Sequence, residues 1–405
     1  MNGLVLQGGG AKGAYHFGVW KALRELGEEI HAVTGTSIGA LNGAMIVQGA
    51  YDELEELWCN IRPEMLFDVD SKVYKQLTEL ELKPDMFNAY FEYVKGFFIK
   101  KGFDITPLKE LIDQMVDEKK IRESEVDFGF VAYNATDLEP YEQFVKDIPE
   151  GRLKEYLLAS AHLPFFRMEK IEGKVFVDGA FHDNQPVKLM TTKPGITKII
   201  IVDNKGVGLK QKADLKDYEV VRITASGDTG GTLDMSRERA RENIAMGYYD
   251  TLRVYRHLMG KRYVIQPFEE NEVIEYFMKL PREGIKALSK VLQKDPPANQ
   301  RQVFEGILPE IARLLKVEEE GSYADLIVAL AETAAEKLRI DPYRIYTIGE
   351  FLKLIKAGLE KDEKRISKEN SRFIIKLLKQ GNIVVGAVKD ELVLEITAAL
   401  LTEVD

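Results

Sequence analysis

The chain has 405 residues, 45% hydrophobic and 30% charged, which is enough for about two or three globular domains. Its formal charge of −10 (56 basic against 66 acidic residues) argues against nucleic acid as a partner and gives no general attraction to anionic lipid. Cys59 is the single cysteine, so neither an intramolecular disulfide nor a thiolate metal cluster can form.

The opening Met1-Asn2-Gly3-Leu4 has neither the basic region nor the long apolar stretch of a signal peptide, and no apolar run reaches the ~20 residues of a membrane span. A soluble, cytoplasmic protein is the expectation. Leu4 to Leu6 reads as a buried strand ending in the loop Gly8-Gly9-Gly10. Gly13 to Leu26 has helical spacing, with Phe17, Trp20 and Leu23 on one face. Ile30 to Thr34 is a second strand, and after Gly35-Thr36-Ser37-Ile38-Gly39 the segment Ala40 to Gln48 is helix-like. Strand, loop, helix, strand, turn, helix predicts a parallel α/β sheet covered by helices.

A helical insertion spans about 52–125, with aromatic residues at Phe87, Tyr90, Phe91, Tyr93, Phe97, Phe98 and Phe103. Aromatic stripes at helical spacing favour an ordinary packed cap over a lid or acyl-chain surface. Strands return at Phe128 to Tyr133, Lys174 to Val177, Lys198 to Val202 and Glu219 to Thr224, and Arg237 to Met259 reads as one long helix. Its Arg237, Arg239 and Arg241 fit a solvated face better than a peripheral membrane contact. The pattern therefore divides into an α/β domain over 1–268 and an all-α domain over 269–405. In the latter, Ser322 with Asp325 is the expected N-cap of a helix from Leu326 to Leu338. What protein the helical domain binds is left open.

Gly35-Thr36-Ser37-Ile38-Gly39 fits the nucleophile-elbow pattern G-x-S-x-G, in which a sharp strand-to-helix turn presents a serine hydroxyl and glycines relieve the crowding. The same five residues are also compatible with a glycine-rich turn in which Ser37 caps a helix. Acyl transfer passes through an oxyanion and needs preorganised N–H donors. Gly9 and Gly10 are the expected donors, with the Ile38 N–H as a third. Gly8, Gly10 and Gly13 match G-x-G-x-x-G as well, but the second strand ends at Thr34-Gly35 with no carboxylate to hold a ribose, and the loop lacks the Lys-Ser/Thr of a phosphate-binding loop. No nucleotide cofactor is therefore expected, and no metal constellation appears; hydrolysis without calcium is the expectation.

A serine hydroxyl needs a base. None of the five histidines (His16, His31, His162, His182, His257) stands in a context that demands a triad, and a partly desolvated carboxylate could serve instead. Asp178-Gly179 by itself reads as a turn.

The segment from Gly8 to Val19 resembles the glycine-rich loop of patatin-like phospholipases, and Gly35 to Gly39 their elbow. Asp178-Gly179-Ala180 followed by Asp183-Asn184-Gln185-Pro186 resembles that family's D-G-G/A motif and trailing Asn-x-Pro. Ala159 to Phe166 resembles the small-residue and proline segment ahead of it. The resemblance covers roughly residues 1 to 225. It implies a three-layer α/β/α fold and a Ser–Asp dyad: Ser37 as nucleophile, Asp178 as base, Gly9 and Gly10 at the oxyanion, and lipid acyl esters as substrates. Lys12 stands where the family often has Arg, Gln7 where an acid is frequent, and Ala180 replaces the second glycine. Lys12 and His162 are candidate substrate contacts, with a satisfied core imidazole as the plainer role for His162. Two other functions remain open at this point. One is an esterase or thioesterase for small soluble substrates; the other is a lipid-binding regulator acting through its helical domain.

Overall fold

A computed structural model describes residues 1–66, 74, 104–163, 166, 170–318, 320–361 and 386–401. The chain divides into two compact units, Met1–Tyr255 and Arg256–Asp405. The insertion expected over 52–125 is described chiefly at its two ends, and the aromatic run from Phe87 to Phe103 lies outside the described residues.

The first unit is a three-layer α/β/α domain. Strand β1 (Asn2–Leu6) leads through the glycine loop into helix α1 (Ala14–Glu25). Strand β2 (Ala32–Thr36) leads through Ser37 into helix α2 (Ile38–Val47), which is followed by α3 (Tyr51–Cys59). The later strands are β3 (Asp127–Asn134), β4 (Glu139–Phe144), β5 (Lys170–Ile171), β6 (Lys174–Asp178), β7 (Lys198–Asp203) and β8 (Glu219–Thr224). Their order in the sheet is β5-β6-β3-β2-β1-β7-β8, with β4 beside β3.

The sheet is central where the sequence is most apolar. Ile199, Ile200, Ile201 and Val202 of β7 are all buried. They alternate between faces, as a strand covered on both sides requires. Val5, Ile199 and Ile201 pack with Val187 and Met190 on one face.

The expectation of a parallel sheet holds for β3, β2, β1, β7 and β8, but β4 and β6 run antiparallel to β3. The exception has a geometric consequence. Residues 127–131 of β3 pair with β2, residues 132–134 pair with β6, and β4 overlaps both stretches from 129 to 134. A strand has only two hydrogen-bonding edges, so β4 holds one while β2 and β6 share the other. The C-terminal ends of β2 and β6 therefore meet end to end against β3, Thr36 opposite Val131 and Asp178 opposite Ala132. The tight hairpin lies before Asp178, between β5 and β6, where Glu172 and Gly173 both take positive φ.

Among the described residues the second unit is helical apart from one short parallel pair, β9 (Val264–Ile265) with β10 (Ile345–Tyr346), of which β10 falls within the segment expected to be all-α. Two residues per strand leave too little pattern for periodicity to register. The helix Tyr323–Lys337 begins with the expected cap. The Ser322 hydroxyl accepts the Asp325 N–H at 3.0 Å and the Asp325 carboxylate accepts the Ser322 N–H at 2.9 Å. Farther along this helix, one oxygen of Glu332 accepts the N–H groups of Lys261, Arg262 and Tyr263, at 2.7, 2.7 and 2.8 Å.

Candidate active site

Ser37 sits where β2 gives way to α2, with φ 56° and ψ −126°. A side chain in that region is strained, and such strain persists only where surrounding structure imposes it. Here the neighbours are backbone. A Cβ on Gly35 would lie 2.2 Å from Gly39 O, and one on Gly39 would lie 2.2 Å from Leu6 O, so larger residues at either place would push the turn apart. The Ser37 N–H donates to the Ser160 hydroxyl at 2.9 Å, and that hydroxyl donates to Val131 O at 2.6 Å. The sequence reading includes Ser160 only as part of a motif and assigns it no task. The end-to-end strands make it the brace of the elbow.

Asp178 closes β6 and is buried. One carboxylate oxygen accepts the Ala180 N–H at 2.8 Å, and the Asp178 N–H donates to His162 O at 3.0 Å. Burial pushes the carboxyl pKa up to about 7, and the Ser37 hydroxyl and the Ala180 N–H partly oppose that rise. The second carboxylate oxygen is buried and makes no hydrogen bond of full geometry among the described residues. The Ser37 hydroxyl is thus near enough to act on this carboxylate without yet being committed to it. Apo sites often hold such contacts loosely.

The glycine loop approaches from the other side. Gly9 and Gly10 take φ 156° and 57°, and a Cβ on Gly8 would lie 3.2 Å from the Ser37 Cβ. Gly8 N–H donates to Asn184 O and Ala11 N–H to Thr232 O, which anchors the loop at both ends. Among the described residues no acceptor is bonded to the N–H groups of Gly9, Gly10 or Ile38.

A buried amide network supports this arrangement. Gln7, where an acid was the commoner expectation, donates to Gly206 O at 2.6 Å and accepts from Gln185 at 2.9 Å. His16 is bonded through its two ring nitrogens to Asn42 and Asn204, at 3.2 and 3.1 Å, and burial lowers its pKa to about 3, so the ring is neutral. Trp58 donates to Asn42 from the far side at 3.2 Å. Thr34 and Thr36 of β2 fasten the segment after Asp178, donating to Pro186 O and Asp183 O at 3.0 and 2.7 Å. These contacts join residues as far as 199 positions apart, which is why no local pattern announces them.

Ser37 and Gly10 open onto a cleft lined almost wholly by apolar side chains of α2, α3 and the helix Thr106–Met115, among them Ile38, Leu41, Met45, Trp58 and Ile112. Its empty volume is about 810 Å³ with the open mouth included. His162 is buried but lines a neighbouring polar pocket with Lys109, Lys154 and Glu155, and it is not among the residues of the apolar cleft. Lys12 donates from its ammonium to Lys205 O at 3.0 Å, and burial lowers its pKa. The structure therefore brings Ser37, Asp178, Gly9, Gly10 and Ile38 to one place, with His162 behind Asp178 and Lys12 tied to the loop after β7.

A strand-end serine, a buried carboxylate and a glycine loop thus meet at one edge of an α/β/α sheet. Residues 4–191 match the family model for patatin-like phospholipase, so that segment carries a patatin-like phospholipase domain. It is 25% identical over 361 residues to the patatin-like phospholipase domain-containing protein ZK370.4 of Caenorhabditis elegans, covering 82% of this chain and 24% of that one. It is 26% identical over 202 residues to lysophospholipase NTE1 of Kluyveromyces lactis, covering 50% of this chain and 12% of that one. The chain thus spans about a quarter or less of the length of these curated relatives. Among solved structures, VipD of Legionella pneumophila aligns over 99% of this chain and 91% of its own, with 13% identity and a TM-score of 0.40. Among the described residues no helix is long and apolar enough to cross a membrane.

Proposed function

We propose that the chain hydrolyses lipid carboxylic esters, as a phospholipase A or lysophospholipase would, through an acyl-Ser37 intermediate with Asp178 as base. The observation that carries this reading is the position of Ser37, between the buried carboxylate of Asp178, whose pKa its hydroxyl helps to hold down, and an apolar cleft. The family match over residues 4–191 and the lysophospholipase name of one relative support it.

In the first half-reaction, Ser37 Oγ attacks the ester carbonyl carbon and its proton passes to Asp178. The N–H groups of Gly9, Gly10 and Ile38 receive the oxyanion, each removable donor being worth about 10²–10³ in rate. The bond to the leaving alcohol then breaks, and the proton on Asp178 goes to the departing oxygen. In the second half, Asp178 takes a proton from water, the hydroxide adds to the acyl carbon, and Ser37 leaves with that proton.

A carboxylate with a pKa of about 7 suits both halves, because it holds a proton near neutral pH without binding it irreversibly. The apolar cleft favours an acyl chain over a small soluble ester, since a short acid would leave most of that surface wet.

The test is hydrolysis of p-nitrophenyl esters of increasing acyl length by the native chain, Ser37→Ala and Asp178→Asn. The proposal predicts rates that rise with chain length and vanish in both variants while the fold persists. Full activity in Ser37→Ala, or a flat response to chain length, would count against it.

A further inference from the structure

The loop that leaves β7 has a charge opposite to that of the chain as a whole. Residues 204–212 carry Lys205, Lys210 and Lys212 and no acid, in a protein of net charge −10. All three lysines are exposed. Lys12 adds a fourth cation through its bond to Lys205 O. Four acids stand near the group: Asp203, which pairs with Lys210 at 2.9 Å; Asp228, which acts on Lys12; Asp183, which accepts the Gln211 N–H at 3.2 Å; and Asp214, which pairs with Lys216. Lys205 reaches Gly227 O at 3.0 Å, while Lys212 makes no ion pair or hydrogen bond among the described residues.

Leu209 stands among these lysines and is 46% exposed. Its exposure is imposed by its backbone. The Leu209 N–H donates to Ala180 O at 2.9 Å, its carbonyl accepts the Asn184 N–H at 2.6 Å, and Val207 O accepts from the Asn184 side chain at 3.2 Å. The loop is thus strapped to the turn after Asp178 and holds a leucine outward beside it.

A second leucine, Leu138, is 62% exposed at the turn between β3 and β4. Because β3, β2, β1 and β7 are parallel, the turn after β3, the elbow after β2, the glycine loop after β1 and the lysine loop after β7 all leave one edge of the sheet. Single surface leucines need no explanation. Two on the same edge as an acyl-accepting cleft, one of them ringed by lysines, have a common use. Of the arginines early in the helix Arg237–Tyr255, Arg239 is engaged by Asp228, Asp234 and Glu242, while Arg237 and Arg241 are exposed.

We propose that this rim docks on an anionic lipid surface, with Lys205, Lys210 and Lys212 against headgroup phosphates and Leu209 in the acyl boundary. The purpose of such docking rests on the lipid-ester reading above; its test does not. Leucine beside lysine fits a surface that is apolar beneath and anionic on top, which an acidic protein would not offer.

The experiment is sedimentation of the full chain with vesicles of phosphatidylcholine alone, or with about a third phosphatidylglycerol, read beside hydrolysis of a short soluble ester. Binding to the anionic vesicles that weakens as salt rises is expected. The charge reversals Lys210→Glu and Lys212→Glu together should weaken it at least about twenty-five-fold, at roughly fivefold per lysine contact. Lys212→Glu alone guards against misfolding, because it breaks no contact among the described residues; it should weaken vesicle binding severalfold and leave soluble-ester hydrolysis intact. Equal binding to both vesicle types, no binding by the native chain, or undiminished binding by the reversals would overturn the proposal. If vesicles bind as expected but no ester is cleaved, the docking stands and the catalytic reading falls.

Discussion

Ser37 and Ser160 are joined by a buried hydrogen bond of 2.9 Å, in which the backbone N–H of the elbow donates to a side-chain hydroxyl 123 residues away. The hydroxyl sends its own proton to Val131 O, so the strained turn is tied to the middle of β3 and cannot relax without leaving a buried donor unpaired. Ser160 is in this sense a positioning residue for the proposed nucleophile.

Ser160→Ala should lower kcat by roughly tenfold or more with little change in KM, and destabilise the fold by about 1–3 kcal/mol, the usual cost of stranding a buried N–H. Steady-state kinetics and urea melts on the same preparation check it. An alanine variant with native kcat would show that the elbow keeps its shape without the brace.

Asp178 must be ionised to take a proton from Ser37, and burial raises its pKa to about 7. The rate constant kcat/KM should therefore climb between about pH 6 and 8 and level off above, tracking one ionisation. A profile already flat at pH 5 would mean that the carboxylate is not buried as described, or is not the base.

The same shift makes a stability prediction of the opposite sense. A carboxyl whose folded pKa lies above its unfolded value of 3.8 favours the folded state fully below about pH 4, and that contribution is lost as pH rises through about 7. Asp178→Asn removes the ionisable group, so the variant should gain on the native chain between pH 5 and pH 8. Across that window the gain is on the order of 3 kcal/mol, from about two pH units (pH 5 to the folded pKa) at 1.36 kcal/mol each. Asp183, raised by burial to about 6, is common to both proteins and cancels. Melts at the two pH values that give the same difference would refute the linkage. The variant expected to be inactive is thus also expected to be the more stable at alkaline pH.

Met45 lies two turns beyond Ser37 along α2 and lines the apolar cleft, about 12 Å farther on at 1.5 Å per residue. Met45→Phe and the bulkier Met45→Trp should reduce kcat/KM for long acyl esters by tenfold or more while leaving four-carbon esters nearly untouched. An equal loss at every chain length would point to general disruption, and the cleft would not be the acyl site.

Several parts of the site are legible in the sequence because they obey local rules. Glycines two residues either side of Ser37 signal a turn where backbone passes within a Cβ's reach, and Gly8-Gly9-Gly10 after an apolar run signals exposed N–H donors. The strand β7 follows from four successive β-branched residues. Less visible are β4, whose Glu139-Pro140-Tyr141-Glu142 lacks apolar alternation, and the reversed direction of β6. Direction is a property of pairing, and pairing is settled by partners distant in the chain. Ser160, Asn204 and Gln185 escape for the same reason: a buried serine or amide looks like any other until its acceptor is known. The lysines after β7 are plain in the sequence, but their common edge with Leu138 and Ser37 emerges only from the parallel register.

The sequence by itself determined the shape of the elbow, the glycine loop and the alternation of strand and helix, because these depend on sterics and periodicity within a few residues. Only the tertiary structure decided that β2 and β6 end against each other on one edge of β3, which brings Ser37 to Asp178. It also decided that Asp178 is dry enough to hold its proton near pH 7 and that an apolar cleft opens beside the serine. Desolvation and enclosure are sums over everything that surrounds a group, and the groups surrounding Asp178 and the cleft come from all along the α/β unit.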